Sequence, residues 1–270
     1  MTRIVVAPGL GRSALELRSG ALAVRVLEQD ADGARVALVA NGALLLAGDS
    51  VDVEVEVAEG AWLEVVETTG TVAYGGAEPS RWDVDVRLGV GARLTWGALP
   101  FVVSDGARTH RRTEARLAEG ARALLRETLV LGRTGQAGGD LWSSLTAYDA
   151  VGPLQVEELD LSRPVRGLPG VLATGSGAAP RTVVDTVLAL GWRPAPLPGP
   201  PGAGATLFEL DRPGAVLRWL GTELHRDTVG DACLAAWSAE LAAAPRTAHG
   251  GATVAPMLDP LRTTHTEEYA

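Results

Sequence analysis

The chain contains no lysine, so all 24 of its basic residues are arginine. Uniform arginine usage of this kind fits a GC-rich coding sequence. Against 33 aspartates and glutamates it leaves a formal net charge of −9. That balance excludes nucleic acid as the expected partner, because binding it requires many phosphates to be neutralised. The single cysteine, Cys233, excludes an internal disulfide framework and a cysteine-rich metal site. Aromatic residues make up only 4 %, seven of them Trp, so the core must be built from Val, Leu and Ala. No apolar run approaches the roughly 20 residues needed to span a bilayer. The opening Met1-Thr-Arg-Ile-Val-Val-Ala-Pro8 is also too short in apolar length for a signal peptide. The sequence therefore reads as that of a soluble, cytoplasmic protein. At 46 % hydrophobic residues and a mean hydropathy of +0.13, its 270 residues can bury a substantial core.

Catalytic signatures are lacking too. None of His110, His225, His249 and His265 has a further His or Cys at a spacing that suggests a closed metal site. His110, beside Arg111 and Arg112, reads as a solvated strand residue, and Cys233 as a small buried thiol. Thr174-Gly-Ser-Gly-Ala-Ala-Pro180 lacks the Gly-Lys-Ser/Thr ending of a phosphate cradle and reads as a loop. No Gly-x-Ser-x-Gly nucleophile elbow occurs.

What is present is a repeat. Val55-Glu-Val57-Ala-Glu-Gly60-Ala61-Trp-Leu63 is followed by Val86-Arg-Leu88-Gly-Val-Gly91-Ala92-Arg-Leu94 and by Ala115-Arg-Leu117-Ala-Glu-Gly120-Ala121-Arg-Ala123. A looser copy precedes them at Leu15–Ala23. Each joins an alternating segment to a second apolar run through Gly-Ala. Alternation with period two is the mark of a half-buried strand: Val51, Val53, Val55 and Val57 inward, Asp52, Glu54 and Glu56 outward. Each Gly can supply the positive φ of a tight hairpin or bulge. Glycines recurring about every 30 residues predict stacked supersecondary units. The expected fold is thus dominated by β-structure, a sheet that coils on itself built from repeated hairpins, with one C-terminal helix; an ordinary sandwich of similar hairpins is the alternative.

Along the chain, residues 13–28 and 34–47 read as strands, with a hairpin turn at Asn41-Gly42. Strands are also expected near 141–148, 154–161 and 181–193. A proline and glycine tract at 194–204 is expected to stay irregular, and a hairpin to run through 206–220. The helix is placed at 228–243, capped by Thr228 with Asp231 three residues on, its buried face Val229, Cys233, Ala236, Trp237 and Leu241. Trp62, Trp96 and Trp237 read as core. The organisation expected is a β domain over 1–245 and a disordered tail over 246–270.

The one chemically suggestive feature is acidic. Asp52, Glu54 and Glu56 share a strand face, as do Asp83 and Asp85, and aligned repeats would line five carboxylates on one surface. Such a surface is either a solvated face that keeps the sheet soluble or a guide for divalent cations. Without imidazole or thiolate it would hold a divalent transition-metal ion weakly, which suits passage.

Several segments, in order, resemble the UreD/UreH family of urease accessory proteins over roughly residues 15–245. Gly20-Ala-Leu-Ala-Val-Arg25 is similar to the family's Gly-Pro-Leu-x-Val-x segment, and Asn41-Gly-Ala-Leu-Leu-Leu-Ala-Gly-Asp49 to its Gly-Gly-Leu-Val-Gly-Gly-Asp. Glu67–Tyr74 resembles a Thr-rich segment ending in Tyr. The spacing from Trp96 through Pro100 to Gly106-Ala-Arg108 is kept, and Glu127-Thr-Leu-Val-Leu-Gly-Arg133 matches a Glu-x-Leu-x-Leu-Gly-Arg segment closely. Val216-Leu-Arg-Trp-Leu-Gly221, followed by a helix with Trp237, also fits. The pattern departs at Val72, where the family carries Lys, at Ala98-Leu99, where an acidic residue is common, and at Arg25–Asp30.

The resemblance implies a coiled, β-helix-like arrangement of repeated hairpins with little helix, and a non-enzymatic scaffold. Such a scaffold binds the urease apoprotein and recruits a UreF-type accessory protein and the UreG GTPase. Nickel would be in transit, not tightly bound, through an internal passage. A divergent homologue acting as a protein-binding module without urease, and a β-helical carbohydrate-active enzyme, are the other readings.

Overall fold

A computed structural model describes residues 1–166, Leu172 and 180–244. Strands make up 52 % of it. They are β1 (Thr2–Ala7), β2 (Ala14–Arg18), β3 (Leu22–Gln29), β4 (Gly33–Ala40), β5 (Ser50–Val57) and β6 (Trp62–Glu67). There follow β7 (Thr71–Ala73), β8 (Ser80–Leu88), β9 (Arg93–Gly97), β10 (Phe101–Val103), β11 (Arg108–Leu117) and β12 (Arg122–Leu131). The last are β13 (Asp140–Asp149), β14 (Pro153–Asp160), β15 (Val183–Leu190), β16 (Ala205–Glu209) and β17 (Gly214–Gly221). A short helix α1 (Arg163–Arg166), a 3₁₀ turn at Leu224–Arg226 and the long α2 (Thr228–Ala243) complete the described elements.

Two sheets face each other. One runs β14-β13-β11-β8-β5-β1-β2, the other β16-β17-β15-β12-β9-β6-β4-β3, with β7 and β10 forming a short third side against β12. The chain coils between them: β5, β8 and β11 stack parallel in the first sheet, and β6, β9 and β12 stack parallel in the second. This is the coiled β architecture expected from the repeats. The connections are different, however. The Gly-Ala turns are not hairpins, because β5 and β6, like β8 and β9, lie in different sheets. Each turn instead carries the chain across the core.

The chemistry of those crossings explains their residues. Gly60, Gly91 and Gly120 all take φ between 62° and 67°, a left-handed conformation that costs other residues about 1–2 kcal/mol. Ala61, Ala92 and Ala121, at most 2 % exposed, then turn inward where a larger side chain would collide with the next rung. The crossings also bond to each other: Gly60 N–H donates to Val90 O, and Gly91 N–H to Glu119 O. Inside, Val51, Val53, Val55 and Val57 stack on Trp82, Val84, Val86 and Leu88 in register.

Three local expectations change. The segment 13–28 divides into β2 and β3 around Gly20, which packs against the Met1–Thr2 backbone. Asn41-Gly42 does not close a hairpin; Asn41 ends the β3–β4 pair by donating to Gly20 O, and no strand follows until Ser50. Trp62 points outward and is only half-buried, its ring N–H donating to Asp30, whereas Trp96 and Trp237 are buried as expected.

The helix forms at Thr228–Ala243, but its cap is Asp227, whose carboxylate accepts from Gly230 N–H at 2.8 Å. Thr228 is exposed, as is Ala236. Cys233, Trp237 and Leu241 pack on Leu124, Val187, Ala189 and Leu217, on the outside of the second sheet. Burial pushes the Cys233 thiol up to about 12, consistent with a structural thiol. The readings of 246–270 as a tail and of Thr174–Pro180 as a loop fall outside the described residues, except Pro180.

Truncating Trp237 to Ala should cost about 3–5 kcal/mol, because a 1 %-exposed indole leaves a cavity the helix cannot close. Gly120→Ala should cost about 1 kcal/mol through its positive φ alone, since no contact blocks a Cβ there. Urea titrations of both variants check the order.

Candidate functional site

The five acidic residues singled out in the sequence do come together. In the β5–β8 register Asp52 stands beside Asp83 and Glu54 beside Asp85, and Glu114 of β11 continues the second row. Glu56 stands beside Arg87. All face outward. Arginines interleave them: Arg3 binds Glu54 at 2.7 Å and Glu56 at 3.3 Å, and Arg81 lies 3.2 Å from Asp83 and 3.8 Å from Asp52. Arg112 holds Asp85 and Glu114, each at 3.0 Å. Like charges in register repel, so the ladder needs these cations to stay parallel. His110 lies exposed on the same face, its ring stacked on Trp142 at 4.9 Å.

A second set of charged groups lies where the alternation predicts apolar ones. Arg111 occupies an inward position of β11 between Thr109 and Thr113 and is only 7 % exposed. Its guanidinium donates to Glu127, an inward residue of β12 flanked by Leu125 and Leu129, and packs over the Phe101 ring. Thr113 Oγ1 donates to the same carboxylate at 2.9 Å. Glu67, at the inner end of β6, accepts from Trp96 Nε1 at 3.0 Å and from Leu99 N–H at 2.9 Å. Burial raises the Glu67 pKa, while those two donors and Arg111 pull against the shift. Glu67, Arg111, Thr113 and Glu127 border a cavity of about 30 Å³, enough for roughly two waters.

The polar groups continue along the coil. Glu127 stands beside Thr186 of β15, and Thr186 beside Arg218 of β17. Arg218 Nε donates to Thr186 Oγ1 at 3.1 Å, and its two terminal nitrogens reach across to Glu157 of β14 at 2.5 and 2.6 Å. Buried Ser143 sits beside Arg111 on the first sheet. From Glu67 on β6 to Arg218 on β17 is four strand spacings, roughly 19 Å at about 4.8 Å each. The interior therefore carries a polar seam parallel to the coil axis, inside walls of Val, Leu and Ala. It contains three carboxylates and two guanidiniums.

Sequence reasoning had weighed the outer acidic rows and missed this inner seam. The signal was present in the parity: Arg111, Glu127, Thr186 and Arg218 fall at core positions of their strands. Glu67 and Glu127 also open two of the segments that carry the family resemblance. Among the described residues no group of three or more His, Cys, Asp or Glu is arranged to hold a metal ion, and no helix is long and apolar enough to cross a membrane.

Comparison with known proteins places these features. The urease accessory protein UreD 1 of Streptomyces griseus is 46 % identical over 215 residues, covering 78 % of this chain and 79 % of its own. The urease accessory protein UreD of Streptomyces coelicolor is 35 % identical over 225 residues, covering 79 % and 86 %. That of Frankia alni is 34 % identical over 209 residues, covering 70 % and 68 %. The family described as UreD urease accessory protein matches residues 3–256, nearly the whole chain. The stacked rungs, their Gly-Ala crossings and the segments around Glu67 and Glu127 are thus those of a chain that belongs to the UreD family of urease accessory proteins.

Proposed function

We propose that this chain is a cytoplasmic scaffold of urease maturation that binds the urease apoprotein, recruits a UreF-type protein and the UreG GTPase, and passes nickel through its own interior. The observation that carries the reading is the polar seam. A packed β coil has no structural need for three carboxylates and two guanidiniums on its axis, and burying them is costly unless they are paired. Glu67, Glu127 and Glu157 against Arg111 and Arg218 leave one carboxylate in excess when all are ionised. Hydroxyls of Thr113, Ser143 and Thr186 supply further oxygen ligand atoms. Oxygen donors without thiolate or imidazole hold nickel loosely, so an ion would be handed along and not stored.

The outer row of Asp52, Glu54, Glu56, Asp83 and Asp85 is a second proposed guide for the cation. Its in-register stacking favours the idea, since clustered carboxylates lower the local potential, and its interleaved arginines weaken it. A carbohydrate-active enzyme would need two carboxylates flanking a sugar-sized cleft. The cavity beside Glu67 and Glu127 is far too small for a sugar ring.

Co-expression with the cognate urease and its other accessory proteins tests the scaffold: urease activity unchanged when this chain is deleted rejects it. Within that system Glu67→Gln and Glu127→Gln, each confirmed folded and assembled, should slow activation several-fold at limiting nickel and be relieved by excess nickel. The outer triple variant Glu54→Gln, Glu56→Gln, Asp85→Asn reads the second route. The inner seam as the main path requires it to activate at close to the wild-type rate. Arg111→Met is expected to act on stability instead. It strands Glu127, only 12 % exposed, without its cation, at about 3–5 kcal/mol by thermal or urea unfolding.

A further inference from the structure

Charge as well as apolar packing joins α2 to the coil. Beneath its first turn Arg126 of β12 faces three aspartates: Asp185 of β15, and Asp227 and Asp231 at the head of the helix. Arg126 Nε donates to Asp185 Oδ1 at 3.0 Å, and one terminal nitrogen donates to Asp231 Oδ1 at 2.6 Å. The other lies 3.5 Å from Asp227 Oδ2. Thr128 Oγ1 also donates to Asp185 Oδ1, and Gly230 N–H donates to Asp227 Oδ1 at 2.8 Å.

That leaves the two Oδ2 atoms. Asp227 Oδ2 is buried without a hydrogen-bond partner. Both Oδ2 atoms converge on Gly230: a Cβ there would lie 2.2 Å from Asp185 Oδ2 and 2.7 Å from Asp227 Oδ2. The side chains of Asp185 and Asp227 are 1 % and 0 % exposed. Two ionised carboxylates this close, sharing one guanidinium with a third, repel strongly in a low-dielectric site. One proton between them removes the repulsion and gives the orphan oxygen its partner.

We propose that Asp185 and Asp227 share one proton across the contact between α2 and the coil, so that docking of the C-terminal helix is controlled by protonation. The groups facing the pair are Arg126 and Thr128 from β12 and Asp231 and Cys233 from α2, while β17 sets buried Trp219 beside Asp185. Arg93 of β9 meets the far end of the helix, donating to Leu241 O. Cys233 stays a thiol throughout.

The direction of the response follows from the pair. Burial, with the hydrogen bond to Asp227 second, pushes Asp185 from 3.8 up to about 6. Between those two values the docked helix keeps a proton that the undocked one releases. Docking therefore tightens as pH falls below about 6, by at most tenfold per pH unit for one shared proton. Above about 6 both forms are ionised and α2 is held at its weakest, by apolar contacts and Arg126. Release would uncover Leu124, Val187, Ala189 and Leu217 on the outside of the second sheet.

Amide hydrogen exchange of residues 228–243 in the full chain, corrected for intrinsic rates between about pH 4 and pH 8, tests this. Wild-type protection of α2 should rise by up to tenfold per unit below about 6, while amides of β5 and β8 stay level. Asp185→Asn replaces the shared proton with a permanent donor, so its α2 should show flat protection, higher than wild type at neutral pH. Wild-type protection of α2 that ignores pH, or an Asp185→Asn profile that follows wild type, overturns the proposal. Should Asp185→Asn fail to fold, ¹³C carboxyl titration of the wild type decides. Two carboxyls titrating jointly near pH 6 support the shared proton, and two that are ionised down to pH 4 exclude it.

Discussion

The parallel ladder between successive rungs is the constraint on which the rest of this molecule depends. Every rung must satisfy its main-chain N–H and C=O groups through its neighbours, and parallel pairing does so only in register. Register forces like upon like: Val53 beside Val84, Glu54 beside Asp85, Ala61 above Ala92. Inside, that repetition is favourable, because β-branched side chains interlock on a pleated surface. Outside it stacks carboxylates on carboxylates, and the fold tolerates this only with arginine between them. The crossings follow the same rule, since Gly60, Gly91 and Gly120 must all turn left-handed at equivalent points for the rungs to align.

Against that background the inner seam stands out energetically. Arg111, Glu127, Arg218 and Glu157 give up hydration, and their mutual pairing returns at best about as much as well-packed apolar residues would supply. A sheet interior selected for stability alone would carry leucine there, as it does at Leu125, Leu129 and Leu188. The cost is concentrated at the end of the coil where β12, β15 and β17 meet β11, β13 and β14. At the N-terminal end Ile4, Val36, Val51, Val53 and Leu63 keep the interior apolar. The charged groups of the seam therefore occupy only part of the axis.

Much of this was legible in the sequence. The repeat gave strand, parity and coil because period two and the Gly-Ala spacing are local properties. The helix was legible from end to end for the same reason. Whether a Gly-Ala turn reverses a strand within a sheet or carries it to another was not legible, since positive φ at glycine serves both. Thr228 looked like the cap because a hydroxyl there would serve. Asp227 took the role because it also meets Arg126 from a strand 101 positions earlier, a contact local pattern cannot reveal. The seam was half visible: a charged residue at a core position, such as Arg111, announces a buried partner without saying which one.

The absence of lysine acquires a structural meaning from these contacts. In these contacts one cation serves several anions or grips a single carboxylate with two nitrogens. Arg3 meets Glu16, Glu54 and Glu56; Arg112 bridges Asp85 and Glu114; Arg126 meets three aspartates; Arg218 grips Glu157 with both terminal nitrogens. A planar guanidinium presents five donors in a fixed fork and can hold carboxylates on adjacent rungs at once. An ammonium is a compact, strongly hydrated charge that loses more on burial and bridges less well. Whatever fixed the composition, a coil that stacks acids in register and carries an ionic seam on its axis is one that arginine can complete and lysine would leave under-bonded.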